Sequence, residues 1–113
     1  MLRKIECFIQ PSKLDKIKDA LIEAGVDGMS VSEVEGFGRQ RGHANGDAPS
    51  DEVKFRSKTK LEIVVDEEIV DEVVSLIVKL ARTGKIGAGK VFVIPVEDAI
   101  RIRTSEAGKA AIY

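Results

Sequence analysis

The order of two hydrophobic periodicities constrains this chain more than any other feature. Strand-like apolar runs flank two stretches in which apolar residues recur at helical spacing. Apolar residues alternate in 2–9, 29–37, 60–65 and a short fifth run at 100–103, whereas the fourth run, 91–94, is continuously apolar and is expected to end at Pro95. The helical stretches fall in the first and the third of the gaps between these runs. The order strand, helix, strand, strand, helix, strand predicts the split βαβ arrangement of ferredoxin-like α+β domains.

Both helical stretches carry start or stop signals. Ser12 and Asp15 have the spacing of a capping box before the first helix, and Gly25 predicts its end. Asp66 predicts the N-cap of the second helix, residues 69–80, in which acidic residues come first and basic residues last, as the helix dipole favours. Each helix has one apolar stripe, so we expect it to pack on a face of the sheet.

Composition sets the class of protein. At 113 residues the chain has the size of a single domain, residues 1–113. The formal net charge of −1 provides no long-range attraction to nucleic acid or anionic lipid, so an anion site needs a local cluster of cations. The single cysteine, Cys7, excludes an internal disulfide and suits a reducing cytosol. No apolar run has the length of a membrane span or signal peptide, so we expect a cytoplasmic protein without membrane insertion.

Residues 38–57, between the second and third predicted strands, follow neither periodicity and are named the long loop here. A polar, turn-rich loop of this length inside one domain predicts a mobile binding segment. Asn45-Gly46 is a candidate hairpin tip. Ser50, followed by two acidic residues, is a candidate phosphorylation site, although an exposed serine in a polar loop needs no such role.

Residues 82–90, named the glycine loop, connect the second helix to the fourth strand. Gly84, Gly87 and Gly89 free the backbone so that successive N–H groups can converge on an anion such as phosphate. Lys90 adds a cation. The segment differs from a Walker A loop, because a valine stands where a hydroxyl would hold magnesium and because the helix precedes the loop. The alternative is a helix C-cap with Gly84 at C′, followed by a turn.

Two arginine clusters supply the cations that such a loop needs. In the predicted fifth strand, Arg101 and Arg103 share one face, and guanidinium groups favour bidentate contact with phosphate. The alternative is a solvated edge strand whose arginines pair with Glu97 or Asp98. Residues 36–42 join three glycines to two arginines and a glutamine, for which the alternative is a tight turn. Two glycine-rich segments and two arginine clusters together favour a polyanionic ligand such as a nucleotide.

Sequence blocks spread along nearly the whole chain carry a resemblance to a known family. They are Lys4-Ile5, Lys13-Leu14, 36–43, 58–65, 83–87, 89–93 and 100–104. With these blocks the chain resembles the PII signal-transduction proteins. The resemblance implies a homotrimer with three clefts between subunits, each binding ATP or ADP and, with Mg-ATP, also 2-oxoglutarate. These ligands would reset the long loop, which docks on an enzyme, transporter or regulator of nitrogen or carbon metabolism.

The resemblance also implies roles for segments and for individual residues. Residues 82–90 would be the phosphate loop, and 98–113 the C-terminal strand and tail. The residues implied to contact ATP or ADP are Ser30, Gly38, Arg39, Glu62, Val64, Gly87, Ala88, Gly89, Lys90, Arg101 and Arg103, the two arginines reaching across the subunit boundary. Those implied to contact 2-oxoglutarate are Gln40, Arg41, Lys58 and Gly87, and Gln40 would also bind the Mg²⁺ of Mg-ATP. An amide oxygen suits magnesium and an ammonium suits a carboxylate.

Two positions depart from the family pattern. The long loop contains no tyrosine, since the only tyrosine of the chain is Tyr113, and this excludes uridylylation of the usual kind. Ala88 stands where the family usually has an acidic residue between two glycines. That change should alter hydrogen bonding in the glycine loop but leave its backbone N–H donors in place.

The leading hypothesis is a non-enzymatic regulator, in which ligand binding shifts the long loop between conformations of different affinity for a partner. A second version keeps the nucleotide cleft but senses another cue, for instance in carbon or metal transport. An enzyme is disfavoured, because the Walker hydroxyl is absent and the one histidine, His43, lies in the long loop. An RNA-binding module shares the order of elements, but residues 60–65 carry no aromatic ring, so nucleic acid is not an expected partner.

Overall fold

The computed structural model describes residues 1–37 and 53–113. Within these ranges the strands are β1 (Leu2–Ile9), β2 (Ser30–Gly36), β3 (Arg56–Asp66) and β4 (Gly89–Val96), and the helices are α1 (Leu14–Glu23) and α2 (Val70–Ala81). The strand pairings are antiparallel, and the order across the sheet is β2-β3-β1-β4. This arrangement confirms the predicted ferredoxin-like α+β fold. The longer helix has 12 residues, and within the described ranges neither helix has the length and apolarity that a membrane crossing needs.

The hydrophobic core lies between the helices and one face of the sheet. Because side chains alternate along a strand, Ile5, Cys7 and Ile9 of β1 point to the same face, and each is at most 1% exposed. Ile17 of α1 and Ile77 of α2 are as deeply buried in the same cluster. Cys7 therefore packs as a small apolar residue, and burial raises the pKa of its thiol to about 11.

The end of α1 follows its sequence signal. Gly25 has φ +98°, a conformation that side chains disfavour. The Gly25 N–H donates to the Ile22 carbonyl at 3.1 Å, and the Val26 N–H donates to the Leu21 carbonyl at 3.0 Å. These two bonds form a Schellman motif, so the predicted stop at Gly25 is confirmed.

Of the two predicted N-terminal caps, one forms and the other does not. The Asp66 carboxylate accepts a hydrogen bond from the Glu68 N–H at 3.1 Å and so caps the 3-10 turn Glu67–Ile69, which runs directly into α2. The predicted cap at Asp66 is therefore confirmed at the start of that turn. Ahead of α1, residues Pro11–Lys13 form a 3-10 turn, and no side-chain cap hydrogen bond is made there within residues 1–37. The predicted capping box is therefore wrong, because the proline favours this turn and the helix begins only after it.

The glycine loop does not begin with a C-cap glycine. α2 ends at Ala81, and Arg82 after it is already extended, with φ −62° and ψ 129°. Arg82 is the C-cap, so the C′ position belongs to Thr83. Gly84 has φ +77° but comes one residue later, so the alternative that places it at C′ is wrong. The glycines after α2 therefore shape the loop rather than the helix end.

Two strands extend beyond their predicted bounds. β3 begins at Arg56 rather than at residue 60, because it pairs with β2 on one side as far as the Gly36–Arg56 pair and with β1 on the other. The last two residues of the long loop therefore belong to β3. β4 continues past Pro95 to Val96, so the predicted stop at this proline is wrong. β4 is an outer strand of the described sheet, where a residue without an N–H is tolerated.

The predicted short fifth strand is also wrong. Residues 98–113 form an isolated bridge, a turn and a final 3-10 turn instead. The Arg101 N–H donates to the Glu106 carbonyl, and the Ser105 N–H donates to the Arg101 carbonyl, both at 2.8 Å. Because the segment bonds to itself rather than to the sheet, Arg101 and Arg103 do not share the face of a strand.

Candidate functional site

A cleft of about 740 Å³ lies at one end of the sheet, between β2, the start of β3 and the glycine loop. The residues that line it are Phe8, Val34, Glu35, Gly36, Phe37, Arg56, Lys58, Lys85, Ile86, Gly87, Ala88, Gly89, Lys90 and Phe92. Among these lining residues, the cations Arg56, Lys58, Lys85 and Lys90 outnumber the one carboxylate, that of Glu35. An excess of positive charge on a concave surface favours an anionic ligand.

The glycine loop is pressed against β1 at the wall of this cleft. A Cβ built on Gly89 would lie 1.9 Å from the carbonyl oxygen of Phe8, and Gly89 has φ +119°. Both conditions require glycine, because any side chain would collide with the backbone of β1. Gly89 also pairs with Ile9 in the β1–β4 ladder, so the last part of the loop is already a strand of the sheet. Gly87, with φ +96°, makes the turn that precedes it.

The carbonyl oxygen of Gly87 accepts two side-chain hydrogen bonds. The donors are Lys58 Nζ at 2.6 Å and Gln10 Nε2 at 2.5 Å. Lys58 is half-buried, and burial lowers the pKa of its ammonium group. Lys58, which is predicted to pair with a carboxylate, thus contacts the glycine loop within the same cleft. Gln10 was not among the predicted site residues, and no motif in the sequence marks it.

Two aromatic pairs lie at or beside the cleft. The rings of Phe8 and Phe92 meet edge to face, with centroids 6.3 Å apart. The rings of Phe37 and Phe55, which precede and follow residues 38–52, have centroids 5.6 Å apart. None of these four rings was among the predicted site residues. The first pair depends on the register of β1 with β4, in which Phe8 is the ladder partner of Lys90 and Phe92 follows two residues later, so no signal in the sequence marks it.

The structure brings some predicted ligand residues together and leaves others undescribed. Those that line the cleft are Lys58, Gly87, Ala88, Gly89 and Lys90. Gly38, Arg39, Gln40, Arg41 and Ser50 lie outside the described residues. Within the described ranges, no group of three His, Cys, Asp or Glu side chains could hold a metal ion. The single predicted metal contact, Gln40, is among the residues that the structure does not describe.

Three predicted nucleotide contacts lie away from the cleft. Ser30 pairs with Glu62, and Val64 is six residues beyond Lys58 along β3, or about 20 Å at the usual strand rise. Glu62 lies on the face of the sheet opposite the core, where it contacts Lys4 and also lies 3.6 Å from the Lys60 ammonium. Its hydrogen bond with Lys4 lowers the pKa of the Glu62 carboxyl.

The two C-terminal arginines also lie away from the cleft. Arg101 Nη1 lies 3.2 Å from Glu106 Oε1, and its second guanidinium nitrogen donates to the main-chain carbonyl of Tyr113. Within the described residues, neither Arg101 nor Arg103 lines the cleft. The described members of the predicted nucleotide set are therefore divided between the cleft, the opposite end of the sheet and the C-terminal segment.

Fold and site together define a class of protein. A ferredoxin-like sheet that carries a cationic cleft and a glycine loop at one end is an α+β domain whose cleft suits an anionic ligand. Residues 2–106 match the family model described as Nitrogen regulatory protein P-II. This chain belongs to the P-II family.

Individual relatives agree with this assignment. Nitrogen regulatory protein P-II of Nostoc punctiforme is 52% identical over 112 residues, which cover 98% of this chain and 100% of the relative. Nitrogen regulatory protein P-II 1 of Escherichia coli (strain K12) is 50% identical with the same coverage. The crystal structure of Arabidopsis thaliana PII bound to citrate matches with a TM-score of 0.80 and 40% identity, over 97% of this chain and 91% of that chain. Proteins of this family are signalling regulators, so membership supports a signalling role.

Proposed function

We propose that this chain is a PII-type signalling protein that binds ATP or ADP and, with Mg-ATP, also 2-oxoglutarate. Through its long loop it regulates a partner protein of nitrogen or carbon metabolism. The observation that carries the proposal is the 2.6 Å contact between the Lys58 ammonium and the Gly87 carbonyl. A cation suited to a carboxylate and a backbone loop suited to phosphate thus share one cleft. The proposed activity is binding and signalling, without a catalytic step.

Nucleotide binding is supported by the glycine loop and by the size of the cleft. Gly87 and Gly89 have positive φ values, as glycines do in loops whose backbone N–H groups bind an anion. A volume of about 740 Å³ falls within the usual range for small-ligand sites, roughly 300–1,000 Å³. We assign Gly87, Ala88, Gly89 and Lys90 to the phosphates. Ser30, Gly38, Arg39, Glu62, Val64, Arg101 and Arg103 complete the proposed nucleotide set.

The proposed effector is 2-oxoglutarate, whose carboxylate would take the ammonium of Lys58. Gln40, Arg41 and Gly87 are the other proposed contacts, and Gln40 would also hold the Mg²⁺ of Mg-ATP, which would supply positive charge at the site. The Arabidopsis thaliana PII structure holds citrate, a polycarboxylate, which supports a carboxylate ligand in this fold.

We further propose a homotrimer in which each cleft lies between two subunits. One support is that Arg101 and Arg103 do not line the cleft of their own chain within its described residues. A second support is the apolar surface of the outer strand β4. Its residues Phe92, Val93 and Ile94 are 46%, 46% and 39% exposed, and such a surface favours coverage by another subunit.

Titration calorimetry tests the ligands. We expect 2-oxoglutarate to bind only when Mg-ATP is present, and Lys58→Met to lose at least about tenfold in 2-oxoglutarate affinity while it keeps Mg-ATP. Lys79→Met, at the exposed end of α2, is the matched control. Heats of 2-oxoglutarate binding without nucleotide, or none with it, would refute the proposed effector. Sedimentation equilibrium tests the assembly, and a mass of one chain at all concentrations would refute the trimer.

A second candidate keeps the nucleotide cleft but senses a different effector or serves a different partner, as in carbon or metal transport. It is favoured by Ala88 in the glycine loop and by the absence of tyrosine from the long loop, which also excludes control by uridylylation. Nucleotide binding without any response to 2-oxoglutarate would select this version. We place both versions in the cytoplasm, a compartment in which the free, buried thiol of Cys7 stays reduced.

A further inference from the structure

The carbonyl oxygen of Gly87 has two side-chain donors, of which only one has a role in the proposed ligand site. Lys58 reaches it from β3 at 2.6 Å, and Gln10 reaches it from the end of β1 at 2.5 Å. A carbonyl oxygen has two lone pairs, so both donors can bond to it at the same time. Both contacts are partly buried, so water does not simply replace a lost donor.

The backbone of Gln10 is held in place by its neighbours. Ile9 pairs with Thr59 of β3 on one side and with Gly89 of β4 on the other, so Gln10 leaves β1 between β3 and the glycine loop. The carbonyl of Gln10 then accepts a hydrogen bond from the Lys13 N–H at 2.9 Å in the following 3-10 turn. The backbone of Gln10 is therefore held in position, and its side chain extends from there to the glycine loop.

The Lys58 ammonium carries three N–H donors, and an anion that draws the ammonium towards itself weakens or breaks its bond to the Gly87 carbonyl. A partly buried carbonyl that loses its only donor is unfavourable, and the loop that carries it would shift. We propose that Gln10 is a positioning residue that keeps the Gly87 carbonyl bonded, and the glycine loop in place, while Lys58 binds an anionic ligand. The Gln10 amide is neutral, so it can hold the loop without competing for the anion by charge. The identity of the anion rests on the proposed function, whereas the two-donor arrangement does not.

The holding role is tested on the full chain without any ligand. Gln10→Met and Lys58→Met each remove one donor at similar side-chain length, and the double variant removes both. Backbone hydrogen exchange in residues 84–89 should rise by less than about threefold in each single variant, because one donor remains. In the double variant it should rise at least about tenfold beyond the product of the single effects. Exchange in β1 and α2 serves as the folding control.

Two outcomes would overturn this part of the proposal. One is a double variant whose effect equals the product of the single effects, because the two donors would then not substitute for each other. The other is a Gln10→Met variant that already matches the double variant, because Lys58 would then contribute no hold on the loop. Lys79→Met, which removes a lysine far from the cleft, should leave exchange in residues 84–89 unchanged.

The consequence for ligands is tested by calorimetry with Mg-ATP and 2-oxoglutarate. Gln10→Met should weaken 2-oxoglutarate about fivefold to 50-fold, because the effector would then leave the Gly87 carbonyl without a donor. Its affinity for Mg-ATP alone should change by less than about threefold, since Lys58 still holds the loop. Unchanged 2-oxoglutarate affinity, or an equal loss of both ligands, would overturn the role of Gln10. If the unaltered protein binds Mg-ATP but no 2-oxoglutarate, the proposed effector fails, and the ligand-free exchange experiment still decides whether Gln10 holds the loop.

Discussion

Gly89 and the carbonyl oxygen of Phe8 are so close that a Cβ on the glycine would lie 1.9 Å from that oxygen. The atoms opposite Gly89 belong to backbone, which cannot rotate out of the way as a flexible side chain would. The same glycine begins β4 and ends the glycine loop. One residue thus couples the central sheet to the wall of the cleft, and a change at this position should affect both.

Gly89→Ala should therefore destabilise the fold by about 2–4 kcal/mol, through a backbone collision and an unfavourable positive φ. Urea unfolding followed by circular dichroism measures this loss. Gly28→Ala is the matched control, because nothing lies within 4 Å of a Cβ built there. The control should stay within about 0.5 kcal/mol of the unaltered protein. Equal stability of the two variants would contradict the close approach of Gly89 to Phe8.

The helix starts offer a contrast between a cap that forms and one that does not. Asp66→Ala removes the acceptor of the Glu68 N–H ahead of α2 and should cost about 1 kcal/mol, within a range of about 0.5–2. Ser12→Ala should change the free energy of unfolding by less than about 0.5 kcal/mol, because α1 begins after a 3-10 turn without a side-chain cap. Urea unfolding at pH 7 measures both variants. A larger loss in Ser12→Ala than in Asp66→Ala would restore the capping box.

The buried thiol of Cys7 predicts a pH dependence of stability. Burial raises its pKa to about 11 in the folded chain, whereas an unperturbed thiol titrates near about 8.5. Between these values the folded state keeps a proton that the unfolded state has lost. Stability should therefore fall as pH rises, by about 1.4 kcal/mol per pH unit from this group, and the effect should be absent below pH of about 8.

Cys7→Val separates this effect from the other groups that titrate in the same range. The difference in unfolding free energy between the unaltered protein and this variant should be constant up to a pH of about 8 and should then shift in favour of the variant. If the unfolding free energies of the two proteins instead follow parallel curves up to pH 10.5, the thiol ionises as readily in the folded chain as in the unfolded one, and the prediction is wrong.

The ion pair between Arg101 and Glu106 predicts a competition with nucleotide, if Arg101 contacts phosphate as proposed. Glu106→Gln removes the carboxylate that lies 3.2 Å from the guanidinium. Because both side chains are partly exposed, the gain in ATP affinity should be modest, about twofold to fivefold. Glu97→Gln, just past β4, removes a different carboxylate as the control. Calorimetry with ATP measures both, and weaker binding in Glu106→Gln would show that Glu106 positions Arg101 instead of competing for it.

Local patterns in the sequence determined much of the fold. The alternation of Ile5, Cys7 and Ile9 predicted a strand face, and the structure buries that face. Side chains two positions apart in a strand point to the same face, so a core on one side of the sheet buries every second residue. Gly25 and Asp66 predicted helix boundaries that depend only on bonds to residues a few positions away. The order of elements then left the ferredoxin-like arrangement as the natural solution.

Two strand predictions failed because alternation and proline do not determine whether a segment joins the sheet, or at which position in it. Residues 100–103 have the alternation of a strand, but they find their hydrogen bonds within the C-terminal segment and not in the sheet. Pro95 resembles a strand stop, yet it lies on an outer strand of the described sheet, where its missing N–H is tolerated. Whether a residue forms a backbone hydrogen bond in the sheet, or can do without one, depends on the segments that lie next to it in the folded structure.

The candidate site divides in the same way. The glycine loop, Lys58 and Lys90 were identifiable from residue types and from the family resemblance, because glycine and lysine carry their chemistry wherever they occur. The contacts of Gly87 with Gln10 and Lys58 join residues 77 and 29 positions apart, and the approach of Gly89 to Phe8 depends on the register of β1 with β4. Only the tertiary structure could decide these contacts, since a periodic pattern determines which face a residue takes but not which residue lies opposite it.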